Sequence, residues 1–303
     1  MENYLEDDQV AIEDTLELIL NTKTLDDGDY IQLNNGYLFS ILKLAQKVLL
    51  DDDILLKIEP PTIVVGDLHA QYNSFRKVLD IGGNPENSKY VFLGDYIDRG
   101  SNSTEVMITL LCYKLMYPKN VYLIRGNHET KETCMEYGFY NECTTRYSQT
   151  IFDEFIKCFD NLPMAAIIGN SIFCVHGGIS QDLYNVNDLM KVERPLKIPE
   201  RGFLLDLLWS DPSVIFGDFH RSQRGGSFTY GAEATDCFLE YNNLKMICRS
   251  HQMVMEGYEY AYGKNNQKCI SIFTCPKYCN EFDNKGAIMH VDKNNDITFT
   301  VIE

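Results

Sequence analysis

Asp67, His69, Asp95, Asp98, Arg99, Asn127 and His128 all fall within residues 61–129. Each lies just past a short apolar run that stops at a glycine, in PTIVVGDLHAQY, YVFLGDYIDRG and VYLIRGNHE. Carboxylate, amide and imidazole groups are hard oxygen and borderline nitrogen donors, which suit Mn, Fe or Zn. Asp67, His69, Asp95 and Asn127 together exceed what one tetrahedral zinc with an open position requires. A donor set of this size points to two metals. Two ions about 3.5–4 Å apart can share a water, lower its pKa and clamp both oxygens of an in-line displacement. Asp98, Arg99 and His128 are left for the substrate side. An isolated Asp-x-His or Gly-Asn-His is more often a turn or a cap, but three such endings in one repeating frame form a site.

The elements that must aim these groups are legible around them. The three apolar runs read as strands, and FRKVLDIGG and TEVMITLLCYKLMYP between them read as helices. Strand, helix, strand, helix, strand at a repeat of roughly 30 residues is a βαβαβ unit with parallel strands. Ligands of such sheets bind beyond the carboxyl ends of the strands, where these side chains fall. Upstream, residues 8–22 and 37–50 carry helical apolar spacing, and acidic residues crowd the first turns of the former. Residues 133–160 read as helical up to Pro163. MAAIIGN and SIFCVHGG then read as a hairpin turning at Gly169-Asn170, with His176 at the end of its second strand. RSQRGGSFTYG is a glycine-rich basic loop whose Arg224 suits phosphate recognition. LKMICRSH delivers His251, and KCISIFTCP, GAIMHVD and ITFTVIE complete the strands. The alternation in these late strands predicts a mixed or antiparallel second sheet. Two sheets face to face with outer helices make an α/β sandwich.

Composition bounds the function. The chain has 303 residues, 45% of them apolar, and a net charge of −17. Residues 1–60 hold fourteen Asp and Glu against four Lys. Such a chain does not suit non-specific binding to a polyanionic backbone, so no nucleic-acid partner is expected, and a basic substrate or partner fits better. No apolar run is long enough for a membrane helix, so no membrane partner is expected, and the start MENYLEDDQV does not read as a signal peptide. Ten cysteines without a CxxC pair predict reduced, mostly buried thiols and a cytoplasmic or nuclear location.

The series GDLHAQY, GDYIDRG, RGNHE, HGG, RSHQ and YCNEFDN resembles the phosphoprotein phosphatase family of metal-dependent Ser/Thr phosphatases. YGFYNEC, LLWSDP and SFTYGAE make it most similar to the type 1 catalytic subunit, with type 2A next. The resemblance covers about residues 35–301 and implies a calcineurin-like metallophosphoesterase β-sandwich in α/β/β/α layers. On this reading residues 1–34 are an acidic helical extension and 35–303 a single catalytic domain. The resemblance implies two divalent metal ions, Mn in vitro with Fe or Zn as alternatives. Asp67, His69 and Asp95 would hold one ion, and Asp95, Asn127, His176 and His251 the other, with Asp95 bridging. It implies His128 as the general acid, Asp98 as its orienting partner, and Arg99, Arg224, Asn127 and Tyr278 around the phosphate. The implied reaction is hydrolysis of phosphoserine and phosphothreonine by direct attack of a bridging hydroxide, with phosphoprotein substrates and regulatory or targeting subunits as partners. The chain lacks the Cys-x5-Arg loop of cysteine-nucleophile phosphatases.

Three positions depart from the family pattern. Ala70 stands where glycine is usual, and a positive φ there would strain the turn and displace His69. Lys277 and Asn280 stand where asparagine and glycine are usual, in the loop that carries Tyr278. Other readings of the same site are a small-molecule phosphoesterase or dinucleotide hydrolase and an inactive scaffold. The long carboxyl-terminal half favours the protein phosphatase, and the filled ligand positions argue against the scaffold.

Overall fold

The computed structural model describes residues 5–303 apart from Asp27. Its helices are α1 (Glu6–Asn21), α2 (Asn35–Asp51), α3 (Tyr72–Gly82), α4 (Ser103–Met116), α5 (Lys131–Tyr137), α6 (Phe139–Arg146), α7 (Gln149–Phe159), α8 (Phe203–Trp209) and α9 (Ala232–Tyr241). The strands begin with β1 (Leu55–Ile58), β2 (Thr62–Val65), β3 (Tyr90–Phe92), β4 (Val121–Leu123), β5 (Ala165–Ile168) and β6 (Ile172–Val175). A small three-stranded sheet follows, made of β7 (Asp211–Pro212), β8 (His220–Arg221) and β9 (Phe228–Tyr230). The last strands are β10 (Met246–Arg249), β11 (Tyr258–Tyr260), β12 (Cys269–Ile272), β13 (Gly286–Val291) and β14 (Ile297–Ile302).

Two sheets carry the site. The first runs β14-β13-β2-β3-β4, and β2, β3 and β4 are parallel as the βαβαβ pattern requires. The second runs β1-β5-β6-β10-β12-β11. Alternation within β2 shows how they stack: Ile63 and Val65 face α2 and α4, while Val64 faces the second sheet with Val91, Cys174, Cys248 and Ile270. On the far side of the second sheet, Phe173, Val175 and Ile247 pack with Leu207, Leu208 and Phe238 of α8 and α9. The layers are α/β/β/α.

The late strands divide between the sheets: β10 and β12 lie in a mixed second sheet as expected, and β13 and β14 do not. β13 and β14 join the first sheet, β13 antiparallel to β2, while β10 and β12 lie parallel to each other in the second. Local alternation cannot say which sheet a strand joins. The consequence is functional, because the chain must cross from one sheet to the other between β12 and β13, and that crossing carries Tyr278 over the strand ends. β1 and β11, on opposite edges of the second sheet, were not apparent in the sequence pattern. The helical stretch after His128 breaks into α5, α6 and α7. Gly138 at φ 126° separates the first two, and Ser148 caps the third by accepting the Ile151 N–H at 3.2 Å.

The acidic amino-terminal helix shares the main core. Ile12, Leu16 and Ile19 of α1 are buried with α2 and α4. Tyr72 Oη lies 2.6 Å from the Ile19 and Thr22 carbonyls, which satisfies the carboxyl end of α1. α4 buries two charges, each paired. Lys114 meets Asp52 at 2.7 Å, and Glu105 pairs with Arg146 and accepts the Ile31 N–H at 2.8 Å. Eight of the ten cysteines are buried. No helix among the described residues is long and apolar enough to cross a membrane.

Candidate active site

The first loop leaves β2 at Gly66. A Cβ there would come within 2.2 Å of the Ile272 carbonyl oxygen, so glycine is what lets the two sheets close at this point. Asp67 follows. Its Oδ1 accepts from Ser250 Oγ at 2.5 Å and from the His251 N–H at 3.1 Å, which leaves Oδ2 buried and without a partner. His69 Nδ1 donates to the Ile97 carbonyl at 3.1 Å, which turns Nε2 toward the Asp67 and Asp95 carboxylates. Nε2 lies 3.6 Å from Asp67 Oδ2 and 3.6 Å from Asp95 Oδ2. Ala70 does take a positive φ, 58°. It does not displace His69: the Ala70 N–H donates to Tyr96 O at 2.9 Å and the His69 N–H to Asp95 O at 3.0 Å, and these bonds hold the turn.

Asp95, past β3, is the shared group. Its Oδ1 accepts the His128 N–H at 3.0 Å and lies 3.3 Å from His176 Nε2. One end of the Asn127 side-chain amide sits 2.8 Å from His176 Nε2, 2.9 Å from His251 Nδ1 and 3.2 Å from Asp95 Oδ2. His176 Nδ1 is held by the Leu93 carbonyl at 2.9 Å, which again turns Nε2 inward. His251 Nε2 is buried without a partner. Two groups of converging ligand atoms result, His69–Asp95–His128 and Asp95–His176–His251, with Asp95 in both. Burial raises the Asp95 carboxyl, but His176, His128 and His69 outweigh it and hold that carboxyl well below the ordinary range. His69 is lowered by burial, yet the Asp67 and Asp95 carboxylates hold it up to about 9. His251 is driven well down by burial, with His176 and two arginines adding to the effect.

Residues 60–255 match the calcineurin-like phosphoesterase family. The chain belongs to that family. A structure of a protein serine/threonine phosphatase from Saccharomyces cerevisiae with similarity to human phosphatase PP5 superposes with a TM-score of 0.85 and 29% identity, over 99% of this chain and 96% of that one. A cold-active protein-tyrosine phosphatase of a psychrophile, Shewanella sp., shares the fold with a TM-score of 0.53 and 17% identity, over 84% of each chain.

The donor set of this phosphoesterase fits divalent cations. Buried donors converge around the orphan Asp67 Oδ2, His251 turns Nδ1 toward His176 and Asn127, and two histidines have their outer nitrogens committed to carbonyls. Seven of the expected residues, Asp67, His69, Asp95, Asn127, His128, His176 and His251, are brought together.

The residues expected on the substrate side surround this cluster. His128 Nδ1 faces Asp98 Oδ2 at 2.7 Å, and Asp98 Oδ1 accepts the Phe139 N–H at 2.7 Å. The Arg99 guanidinium lies over the Tyr137 ring, 4.0 Å from its centroid. Arg224 donates to the His251 carbonyl at 3.3 Å and lies 3.5 Å from Asp211 Oδ2. Arg99, Arg224 and Tyr278 line one cavity of about 320 Å³ with Asp67, Asp95 and His128. The Tyr278 ring lies 5.1 Å from His69 and 5.2 Å from Phe273. In its loop, Lys277, Cys279 and Asn280 have φ values of 50°, 56° and 55°. Asn284 pins this strained loop, accepting the Tyr278 N–H and donating to Cys275 O, both at 2.9 Å.

Sequence reasoning missed two supports. Buried Glu129 accepts the N–H groups of Asp95, Tyr96 and Gly126 at 2.8, 2.9 and 3.0 Å. Burial, and then the Asp95 carboxylate, push its carboxyl above the ordinary range. Ser250 bridges the sheets, accepting the Asp67 N–H at 2.9 Å while its own hydroxyl lies 2.7 Å from Ile272 O. An acid directly after Asn-His is the only sequence signal for the first, and a serine beside a ligand histidine the only one for the second.

Proposed function

We propose that this phosphoesterase is a protein serine/threonine phosphatase. The observation that carries the reading is the shape of the cleft. The catalytic cavity shares His69, Arg99 and Tyr278 with a second cavity of about 620 Å³, so the trough continues past the phosphate position on one side. A small phosphate ester needs no such extension; a polypeptide bearing the phosphate does. The match to the yeast Ser/Thr phosphatase over almost the whole chain supports the same substrate class.

In this reading Asp67, His69 and Asp95 hold one divalent ion, and Asp95, Asn127, His176 and His251 the other. When bound, the pair would supply an activated water and neutralise phosphate charge. Mn is the proposed ion in vitro, with Fe or Zn as alternatives. Arg99 and Arg224 bind and orient the phosphoryl oxygens, with Asn127 and Tyr278 beside them. His128 Nε2–H gives its proton to the departing serine or threonine oxygen, because an alkoxide is a poor leaving group. Asp98 holds the His128 ring at Nδ1. The phosphoryl group passes directly to water. Among the described residues lining the catalytic cavity, neither serine nor cysteine stands ready to form a phosphoenzyme. Substrate choice and a cytoplasmic or nuclear address are assigned in this reading to regulatory or targeting subunits.

The test is phosphate release from a phosphothreonine peptide by the Mn²⁺-loaded protein, beside His128→Asn with its metal content verified, and beside turnover of a dinucleotide polyphosphate. Peptide turnover that collapses in a fully loaded variant supports the reading. Faster turnover of the dinucleotide would replace it with the small-molecule reading.

A further inference from the structure

A second concave surface lies on the outer face of the second sheet, and it shares no lining residue with the catalytic trough. It encloses about 590 Å³ between α9, the turn at 180–184 and the pair Asp218-Phe219. That volume is within the range of ordinary ligand sites. Leu183, Ala234 and Phe238 form a buried apolar floor. Tyr184 and Tyr241 stand at its edge, 74% and 66% exposed. The adjoining loop displays Val214 and Ile215, each 78% exposed, before Phe219 enters the cavity wall. Large apolar side chains gathered on one exposed face mark an interaction site rather than ordinary surface.

The cavity is built, not incidental. Asn242, which caps α9, donates to Tyr184 O at 2.8 Å and accepts the Val186 N–H at 2.9 Å, which fixes one end. The Ala234 N–H donates to Gly217 O at 3.0 Å, which fixes the other. Ser180 donates to buried Asp206 at 2.5 Å and pins the turn between them. A preformed pocket avoids much of the ordering cost of binding.

Charge selects the occupant. Among the described residues the cavity is lined by Asp218 and Glu233 and by no basic residue. α9 contributes Glu233, Asp236 and Glu240 without a lysine or arginine, and among the described residues only Asp236 of the three is in an ion pair, with Lys268 at 2.7 Å. We propose that this face is a docking surface for a partner segment that presents a large apolar side chain between lysines or arginines. The apolar group would fill the pocket between Tyr184 and Tyr241, and the flanking cations would meet Asp218 and Glu233. A second copy of the chain suits the face poorly. A two-fold pairing would set the same acidic rim against itself in a protein of net charge −17. The inference is independent of the catalytic reading.

The experiment pans a phage-displayed random-peptide library against the full chain and measures the enriched peptides by fluorescence anisotropy. The expected peptides carry Leu, Phe or Trp flanked by Lys or Arg, and they slow maleimide labelling of Cys237, which is exposed in the cavity lining. Asp218→Lys/Glu233→Lys should weaken them at least about tenfold, and so should added salt. Tyr241→Glu should weaken them as well. All three substitutions sit at the surface, so thermal midpoint and nitrophenyl phosphate hydrolysis should stay at the parent values and show that the variants fold. Failure to enrich any peptide that protects Cys237 would overturn the proposal. So would peptides that lack basic residues or bind the charge-reversed variant equally well. Self-association that is lost in Tyr241→Glu would overturn it in favour of a second copy.

Discussion

Asp98→Asn tests the proton path at a single atom. The two carboxylate oxygens of buried Asp98 have different partners: Oδ1 accepts the Phe139 N–H at 2.7 Å, and Oδ2 faces His128 Nδ1 at 2.7 Å. An amide has one acceptor where the carboxylate has two. The Phe139 N–H can only donate, so the amide oxygen must stay there and the amide NH₂ must turn toward His128. Nδ1 then has to accept, which excludes the imidazolium with a proton on each nitrogen. The neutral ring still carries a proton on Nε2, but it is a far weaker acid. A positioned general acid contributes about 10²–10⁴-fold, so the turnover number on a phosphothreonine peptide should fall by that factor, about 3–5 kcal/mol of barrier. The assay compares that peptide with nitrophenyl phosphate at equal metal content. Nitrophenolate departs without a proton, so its turnover should fall by less than about tenfold. Equal losses on the two substrates would refute the acid role and leave Asp98 as a structural support. A peptide loss below about tenfold would refute the argument from the Phe139 bond.

Three further outcomes follow from the geometry. Gly66→Ala should cost about 1–3 kcal/mol and lower metal stoichiometry, because the new Cβ would meet Ile272 O at 2.2 Å and Ser250 Oγ at 2.7 Å; a parent-like melting temperature with full metal content would contradict this. Ala70→Gly should change little: release of about 1–2 kcal/mol of left-handed strain is offset by a buried methyl worth about 0.8 kcal/mol and the added freedom of the unfolded chain. A large rise in activity would show instead that Ala70 holds His69 off its position. Glu154→Gln should lower the melting temperature at pH 7, because burial raises the Glu154 carboxyl but Lys157, Lys43 and Gln46 bring it down to about 2. A depressed carboxyl stabilises above its unfolded pKa and ceases to as pH falls through the folded one. The gap between parent and variant should therefore hold from pH 7 to about 5 and close toward pH 2; a gap that persists at pH 2 would reject the ion-pair account.

The sequence made the βαβαβ unit legible because its strands are short, β-branched and stopped by glycines that the sheet contacts require. Gly66 is the clearest case, since both the strand end and the approach of Ile272 depend on it. The hairpin at Gly169-Asn170 was legible for a similar reason: in the three-residue connection 169–171 these two residues adopt positive φ, 56° and 53°, a conformation that glycine and asparagine tolerate. The sheet membership of β13 was not legible. Met289 and Ile288 are buried on opposite faces, one between the sheets and one against the helices, so burial pattern alone fits either sheet. Glu129 was missed because a single acid in a polar stretch reads as surface until three N–H groups are found converging on it. Ala70 shows the opposite limit. The positive φ could be anticipated from its place in the motif, but the bonds to Tyr96 and Asp95 that hold the turn could not.

Those bonds belong to a larger pattern. His69, Ala70, Asp95, Asp98, Arg99 and His251 all have positive φ, and each non-glycine residue in that region costs about 1–2 kcal/mol. Such strain persists only where the surroundings over-determine it, and here the surroundings are the other ligand loops. The first loop donates to the second, through Leu68, His69 and Ala70 to the carbonyls of Asp95 and Tyr96. The second donates to the third, through Asp95 and Tyr96 to Glu129. His176 Nδ1 binds Leu93 O, the Ser250 N–H donates to His176 O, and the His251 N–H donates to Asp67 Oδ1. The last of these returns to the first loop, so the bonds close a ring. Each ligand is therefore aimed by its neighbours in the protein, and no loop can relax without releasing a donor or acceptor in the next. In a closed ring of this kind the strain serves orientation, because the bonds of each loop to the next set where its side chains point.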